Sequence, residues 1–429
     1  MPMSIQKDLQ ELVKAGVIPE TTAQNIRYYY AHKENHSGNR LFIIFGILGA
    51  LLTGLGIILI IAHNWDDLSR PVKTGFAFLP LLSGQLACTF TLLKRKDQAA
   101  WRESSSTFLF LAIGAAISLI SQIYHIPGDM GEFTLSWMLL CLPLIYLMRS
   151  SITSLLYLTG ITYYVFYTGY YTYPKVIPYT YWLLLLSALP HYYMLYKERP
   201  GSNFTTFHHW FVPASIAVAL GTVTRSSGQM MLVAYMSLWG LYYLTGQLGF
   251  FRNRSTVTNG YRIIGSLGTV IMLLVLSFDR TWIHLRTETF ELGKTVNSPE
   301  FLAAAITTLL AGYLLYKHLQ DRTIMGMKPM APVFILFIIA FIIGHFSALS
   351  VILINIFILL TGLLTIREGA RQDHLGVLNY GLLIITALTI CRFFDTELSF
   401  VFRGILFVSV GAGFFASNYW MLKKRKNEE

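Results

Sequence analysis

Side chains able to bind, orient or exchange protons gather in this sequence where long apolar runs end. The segment "ILIIAHNWDDLSRPVK" passes from hydrocarbon straight into His63, Asn64, Trp65, Asp66 and Asp67. A second run closes in "SQIYHIPGDMGE", which carries Gln122, His125 and Asp129. A third, "CRFFDTELSFVFRG", brings Arg392, Asp395 and Arg403. Carboxylates beside imidazoles are the groups of general acid–base chemistry. Together with amides and arginines they equally hold a polar or phosphate-bearing ligand. The candidate substrate-binding set is therefore His63, Asn64, Trp65, Asp66, Gln122, His125, Asp129, Arg392, Asp395 and Arg403, converging on one pocket. The pattern singles out no catalytic residue and implies no metal or cofactor.

Each group also has a structural reading. Trp65, Tyr124, Trp137 and Trp282 suit the aromatic belt at the headgroup level. Asp66 and Asp67 read as solvated loop carboxylates. Gln122 and His125, at i and i+3 of one helix face, can hydrogen-bond neighbouring helices. Arg403, about one turn into the last helix, has Asp395 as its nearest acidic partner. What favours a ligand site is that all these groups fall on the same side of the membrane.

Other motifs are few. The sequence has no P-loop, HExxH, GxSxG or CxxC pattern, which speaks against ATP hydrolysis and common hydrolase chemistry. Cys88, Cys141 and Cys391 are scattered through apolar runs and read as small buried hydrophobes. The pair His208–His209 is a weak metal hint.

The elements that must position these residues are membrane helices. Of 429 residues, 54% are hydrophobic and 13% charged, and mean hydropathy is +0.53. Soluble domains carry about 25% charged residues. Runs long enough to cross a bilayer (about 20 residues each) recur from Arg40 onward. They are continuous, unlike the short alternating strands of a membrane β-barrel. The expected fold class is all-α: a polytopic integral membrane bundle of about 14 transmembrane helices behind a small soluble N-terminal helical hairpin.

Residues 1–39 form that cytoplasmic hairpin and linker. Ile5, Leu9, Leu12 and Val13 share one helical face, Gly16 breaks it, and Pro19 suits the first turn of a second helix. The bundle spans 40–422, and 423–429 is a basic cytoplasmic tail. The predicted spans are 41–62, 73–93, 105–124, 133–148, 152–171, 178–197, 206–223, 227–247, 261–278, 299–318, 329–344, 346–366, 374–391 and 398–421. No cleavable signal peptide is visible, since the first 39 residues are polar. With the N-terminus inside, 24 of the 33 Lys and Arg residues fall on the inner side and 9 outside. That bias places both termini in the cytoplasm of a bacterial inner membrane. It also accounts for the net charge of +11 without nucleic acid.

Three stretches carry a family resemblance. "LQELVKAGVIPETTAQNI", "GALLTGLGIILIIAHNWDDL" followed by Lys73, and "GAAISLISQIYHIPGD" resemble the prokaryotic membrane proteins grouped as domain of unknown function 2157. The resemblance covers roughly the first 150 residues; the C-terminal "CRFFDTELSFVFRGILFVSVGAGFFASN" is similar to the end region of the same or allied proteins. It implies the membrane architecture and marks positions, but implies no reaction.

Two main functions compete. A transporter or flippase for a polar or lipid-linked envelope substrate fits fourteen helices with both ends inside. A membrane-embedded transferase or hydrolase acting on a lipid-linked substrate at the outer leaflet fits Asp66 and Asp67 in the first outer loop. No predicted span has an Asp, Glu, Lys or Arg near its centre, which argues against a proton-coupled carrier. A non-catalytic scaffold is the third reading. The expected partners are membrane lipids, a lipid-linked or polar small molecule, and a protein docked on the N-terminal hairpin. Transport or flipping is the preferred reading.

Overall fold

The computed structural model is helical throughout the residues it describes: 9, 12–33, 37–63, 69–173, 176–225, 228–251, 258–287, 292–321, 328–395 and discontinuous positions between 400 and 415. No strand occurs among them. Residues 12–14 are helical and stop at Gly16, whose φ is 71°. The Val17 N–H reaches the Leu12 carbonyl at 3.0 Å and the Gly16 N–H reaches Val13 at 3.1 Å. These are the paired bonds that close a helix on a left-handed glycine. Helix α1 (Glu20–Lys33) follows. The Pro19 carbonyl accepts the Ala23 N–H at 3.2 Å, so the proline precedes the first turn instead of lying in it. Leu9 and Ala23 are buried, while Ile5 lies outside the described residues.

Next come α2 (Ser37–His63), α3 (Arg70–Lys94), α4 (Ala99–Tyr124), α5 (Met130–Met148), α6 (Ser151–Phe166) and α7 (Thr180–Glu198). After these are α8 (Asn203–Gly221), α9 (Gly228–Thr245), α10 (Gly260–Leu276), α11 (Asp279–Thr287) and α12 (Leu292–Val296). The chain continues with α13 (Pro299–Asp321), α14 (Val333–Phe346), α15 (Leu349–Arg371) and α16 (Leu375–Phe393). Thirteen of the predicted apolar segments coincide with helices; the last, 398–421, falls largely outside the described residues.

Coincidence with a helix is not the same as a span. Among the described residues six helices are long and apolar enough to cross a membrane: α3, α4, α5, α13, α15 and α16. Helices α10 and α11, joined at an 81° bend, make a seventh if they act as one. Helix α14 has 14 residues, which at about 1.5 Å each falls short of a hydrocarbon core of about 30 Å.

The chain divides into two compact units, Met1–Tyr167 with Thr180–Pro200, and Thr168–Tyr179 with Gly201–Glu429. In the first unit α4 is central, flanked by α2, α3, α5 and α6. Close packing explains two of its neighbours' glycines. A Cβ at Gly46 of α2 would stand 2.5 Å from Ser104 Oγ, and one at Gly84 of α3 would stand 3.1 Å from Leu109 Cα. Trp137 of α5 lies over Gly114 and donates its indole N–H to the Phe110 carbonyl at 2.8 Å. The buried Glu103 carboxylate sits at the start of α6, where it accepts hydrogen bonds from Ser150, Ser151 and Ile152.

The second unit is built around α9, which packs on α10, α13 and α14. Met236, Leu273, Phe334, Phe337 and Ile354 form its buried centre. Trp282 is fully buried there, over Gly344, with its indole N–H on the Leu276 carbonyl at 2.7 Å. Trp137 and Trp282 are thus packing anchors, which corrects the expectation that they belong to an aromatic belt. Their N–H groups find protein carbonyls, so neither needs a headgroup.

Candidate ligand cleft

Helix α4 ends at Tyr124, and His125 takes the left-handed conformation with φ 53°. Its N–H and that of Ile126 both return to the Ser121 carbonyl. Glycine usually occupies such a position, because a side chain there costs about 1–2 kcal/mol. Four residues on, Asp129 caps α5: its Oδ1 accepts the Glu132 N–H at 2.8 Å. The connection between the two helices is therefore fixed at both ends. Gln122 and His125 do not share a regular helical face, since the helix has already ended between them.

This connection forms one side of an open cleft of about 1120 Å³ in the first unit. Phe78, Leu81 and Gln85 of α3, Ile113, Ile117, Ser118 and Gln122 of α4, and Phe133, Ser136 and Leu140 of α5 line its walls. His125, Asp129 and Glu132 stand at the helix-end side. From Gln122 to Ile113 the cleft follows α4 for about 13 Å, to the middle of that helix. Most of the wall is hydrocarbon. Besides Ser121, whose hydroxyl donates to the Ile126 carbonyl, five polar side chains interrupt it: Gln85, Ser118, Gln122, His125 and Ser136. None of the five makes a side-chain hydrogen bond among the described residues. Polar groups at membrane depth need a partner, and each left without one costs about 1–3 kcal/mol. The cleft therefore offers neutral amides and hydroxyls to whatever enters it.

The structure brings together Gln122, His125 and Asp129 from the candidate set. His63 closes α2, and its side chain, with Asn64, Trp65, Asp66 and Arg403, lies outside the described residues. Arg392 and Asp395 belong to the second unit. There Arg392 pairs with Asp395 at 2.5 Å, donates to Ser277 Oγ at 3.0 Å and lies 4.5 Å over the Phe278 ring. Asp395 is thus matched by Arg392, three residues away; the expected pairing with Arg403 falls on a residue outside the described ones. His208 and His209 are buried, His208 bonded to the Phe204 carbonyl and His209 among Phe250, Phe251 and Tyr261. No group of three metal-ligating side chains occurs among the described residues. Cys88 and Cys141 are buried free thiols and Cys391 is half-buried.

Two features escaped the sequence reading. Gln85 and Ser136 sit inside apolar runs, where a lone polar residue is ordinary; only the three-helix geometry puts them on one surface. Glu103 reads as a helix-flanking acid, and nothing local reveals that it caps a helix almost fifty residues later.

A chain that is helical throughout its described residues, with several helices long and apolar enough to span a bilayer, is a multi-pass membrane protein. Residues 10–154 match the family described as predicted membrane protein (DUF2157), in keeping with the resemblance of the first 150 residues. Helices α2 to α5, and with them the whole cleft, fall inside that match. No curated protein and no solved structure matches the chain.

Proposed function

We propose that the protein is a transporter or flippase whose cleft receives the polar head of an envelope amphiphile. The observation that carries this reading is the set of unpartnered amides and hydroxyls along an otherwise apolar wall. Such a surface suits a molecule with hydrogen-bonding groups at one end and hydrocarbon at the other. The wall away from the helix ends is neutral: Gln85, Ser118 and Ser136 bind headgroups but supply neither acid nor base at membrane depth. That favours passage over reaction. His63, Asn64, Trp65 and Asp66, which follow directly on the apolar run of α2, are further candidates for contact with the same headgroup. Fourteen spans, an inner-membrane location and two cytoplasmic termini complete the reading, supported by the distribution of basic residues. The N-terminal hairpin, in which Leu9 and Ala23 are the buried apolar side chains among the described residues, docks on a protein partner.

Reconstitution tests this. Proteoliposomes carrying either a headgroup-fluorescent phospholipid or a headgroup-fluorescent polyprenyl-phosphate sugar are treated with an impermeant quencher. For one of the two, quenching is expected to exceed the outer-leaflet fraction, and to return to it in Gln85→Leu/Gln122→Leu. Quenching equal to that of protein-free liposomes for both probes contradicts the proposal.

A further inference from the structure

The second unit contains a separate, smaller cavity of about 330 Å³. It lies where the end of α9, the start of α10 and the α15–α16 turn come together. Its size is that of a small-molecule pocket, for which about 300–1,000 Å³ is usual. Its walls are more strongly built than those of the cleft. Ser266 Oγ lies 2.8 Å from both Tyr380 Oη and Met330 Sδ. The Arg262 guanidinium lies beside the Tyr243 hydroxyl. Glu368 is held by the Lys328 ammonium and by Gln372 Nε2 at 2.9 Å.

The charges in this cavity do not cancel. The Glu368 carboxylate is matched by Lys328, and both side chains are largely buried. Arg262 has no acidic partner among the described residues. His374 caps α16 with Nδ1, which accepts the Val377 N–H at 3.3 Å. A ring that accepts at Nδ1 carries its proton at Nε2, so the second nitrogen is a donor. The polar lining thus presents a guanidinium, an imidazole N–H and tyrosine hydroxyls, with Leu267, Met330 and Val377 as the apolar side.

From this juxtaposition we infer a second ligand site, which binds a small organic anion: a phosphate or carboxylate carried on a ring or short apolar body. Arg262 and His374 take the anionic group, and Tyr380 and Met330 flank the body. The site is independent of the cleft in residues and in unit, so either can fail without the other.

The probe is phenyl phosphate, titrated into the full-length protein in phosphatidylcholine nanodiscs, with phenol as the neutral control. Phenyl phosphate is expected to bind and phenol not. Arg262→Gln is expected to weaken binding by roughly tenfold or more, and Arg262→Lys to restore part of it. His374→Asn keeps a good N-cap but removes the Nε2 donor, so it should weaken binding several-fold without lowering the melting temperature. Adding phosphatidic acid to the nanodiscs identifies the source: competition means a lipid headgroup, and its absence a soluble anion. No binding of phenyl phosphate to the wild type overturns the inference. So does equal binding by correctly folded Arg262→Gln and Arg262→Lys.

Discussion

The Glu103 carboxylate and the Ser150 hydroxyl lie 2.5 Å apart, joining the second turn of α4 to the N-cap of α6. Glu103 also accepts the N–H groups of Ser151 at 3.0 Å and Ile152 at 2.9 Å, while Ser150 accepts that of Thr153 at 3.2 Å. A buried carboxylate is tolerated here because N–H groups that a helix start leaves unbonded converge on it. Glu103→Gln is expected to lower stability by about 1–3 kcal/mol and Ser150→Ala by about 1 kcal/mol. The double variant should lose less than the two effects added together, since both act on one network. Thermal unfolding of the purified protein measures this; strict additivity would disprove the coupling.

His125 separates stability from function. Its left-handed backbone should be relaxed by His125→Gly, raising stability by about 1 kcal/mol or leaving it unchanged. The same change removes an imidazole from the cleft, so ligand handling should fall. Melting temperature and the flipping assay, run on one preparation, check the two halves together. A loss of stability would mean that the side chain has a packing role.

Helices α15 and α16 meet through glycine. A Cβ at Gly381 would stand 2.7 Å from the Ile366 backbone nitrogen and 2.9 Å from the Gly362 carbonyl oxygen. Backbone cannot move aside as a side chain can. Gly381→Ala should therefore cost about 1–3 kcal/mol. Gly75→Ala, with nothing within 4 Å of the added carbon, should be neutral or stabilising, by up to about 1 kcal/mol. Denaturation of the two variants side by side provides the comparison.

Topology has its own test. Single cysteines replacing Gly128 and Tyr173 in a cysteine-free background should react with an impermeant thiol reagent outside intact cells. Gln98 and Gly201 should be protected until the membrane is opened. All four positions are exposed turns. Labelling of Gln98 from outside would reverse the sides and place the cleft on the cytoplasmic face.

What the sequence made legible depends on the range of the physics. The alternation of apolar run and polar break is local, and thirteen predicted segments became helices. Gly16 was readable because only glycine is at ease with its φ. Gln122, His125 and Asp129 were readable because they follow one another at the end of one run, and they line one cleft. Groups that meet through tertiary contact were not legible. Arg262, Glu368 and His374 come from separate helices, and each alone is an ordinary polar residue near a helix end. Trp282 passed for a belt residue until Gly344 was found beneath its ring. Span number is less legible than helix number, because hydropathy registers α14 as apolar without registering that it has 14 residues.

The central claim is that the cleft of the first unit holds a polar-headed amphiphile, and cross-linking from within it is the most direct test. A photoreactive residue is placed at Ile117, which lines the cleft, and as control at Leu86, which is 71% exposed on α3 outside it. After irradiation in native membranes, adducts are identified by mass. Ile117 is expected to capture one dominant amphiphile with a hydrogen-bonding head, lost in Gln85→Leu/Gln122→Leu, while Leu86 captures the bulk lipid mixture in both backgrounds. If Ile117 yields the same mixture as Leu86, unchanged by the double variant, the cleft is only a lipid-filled groove and the account is wrong.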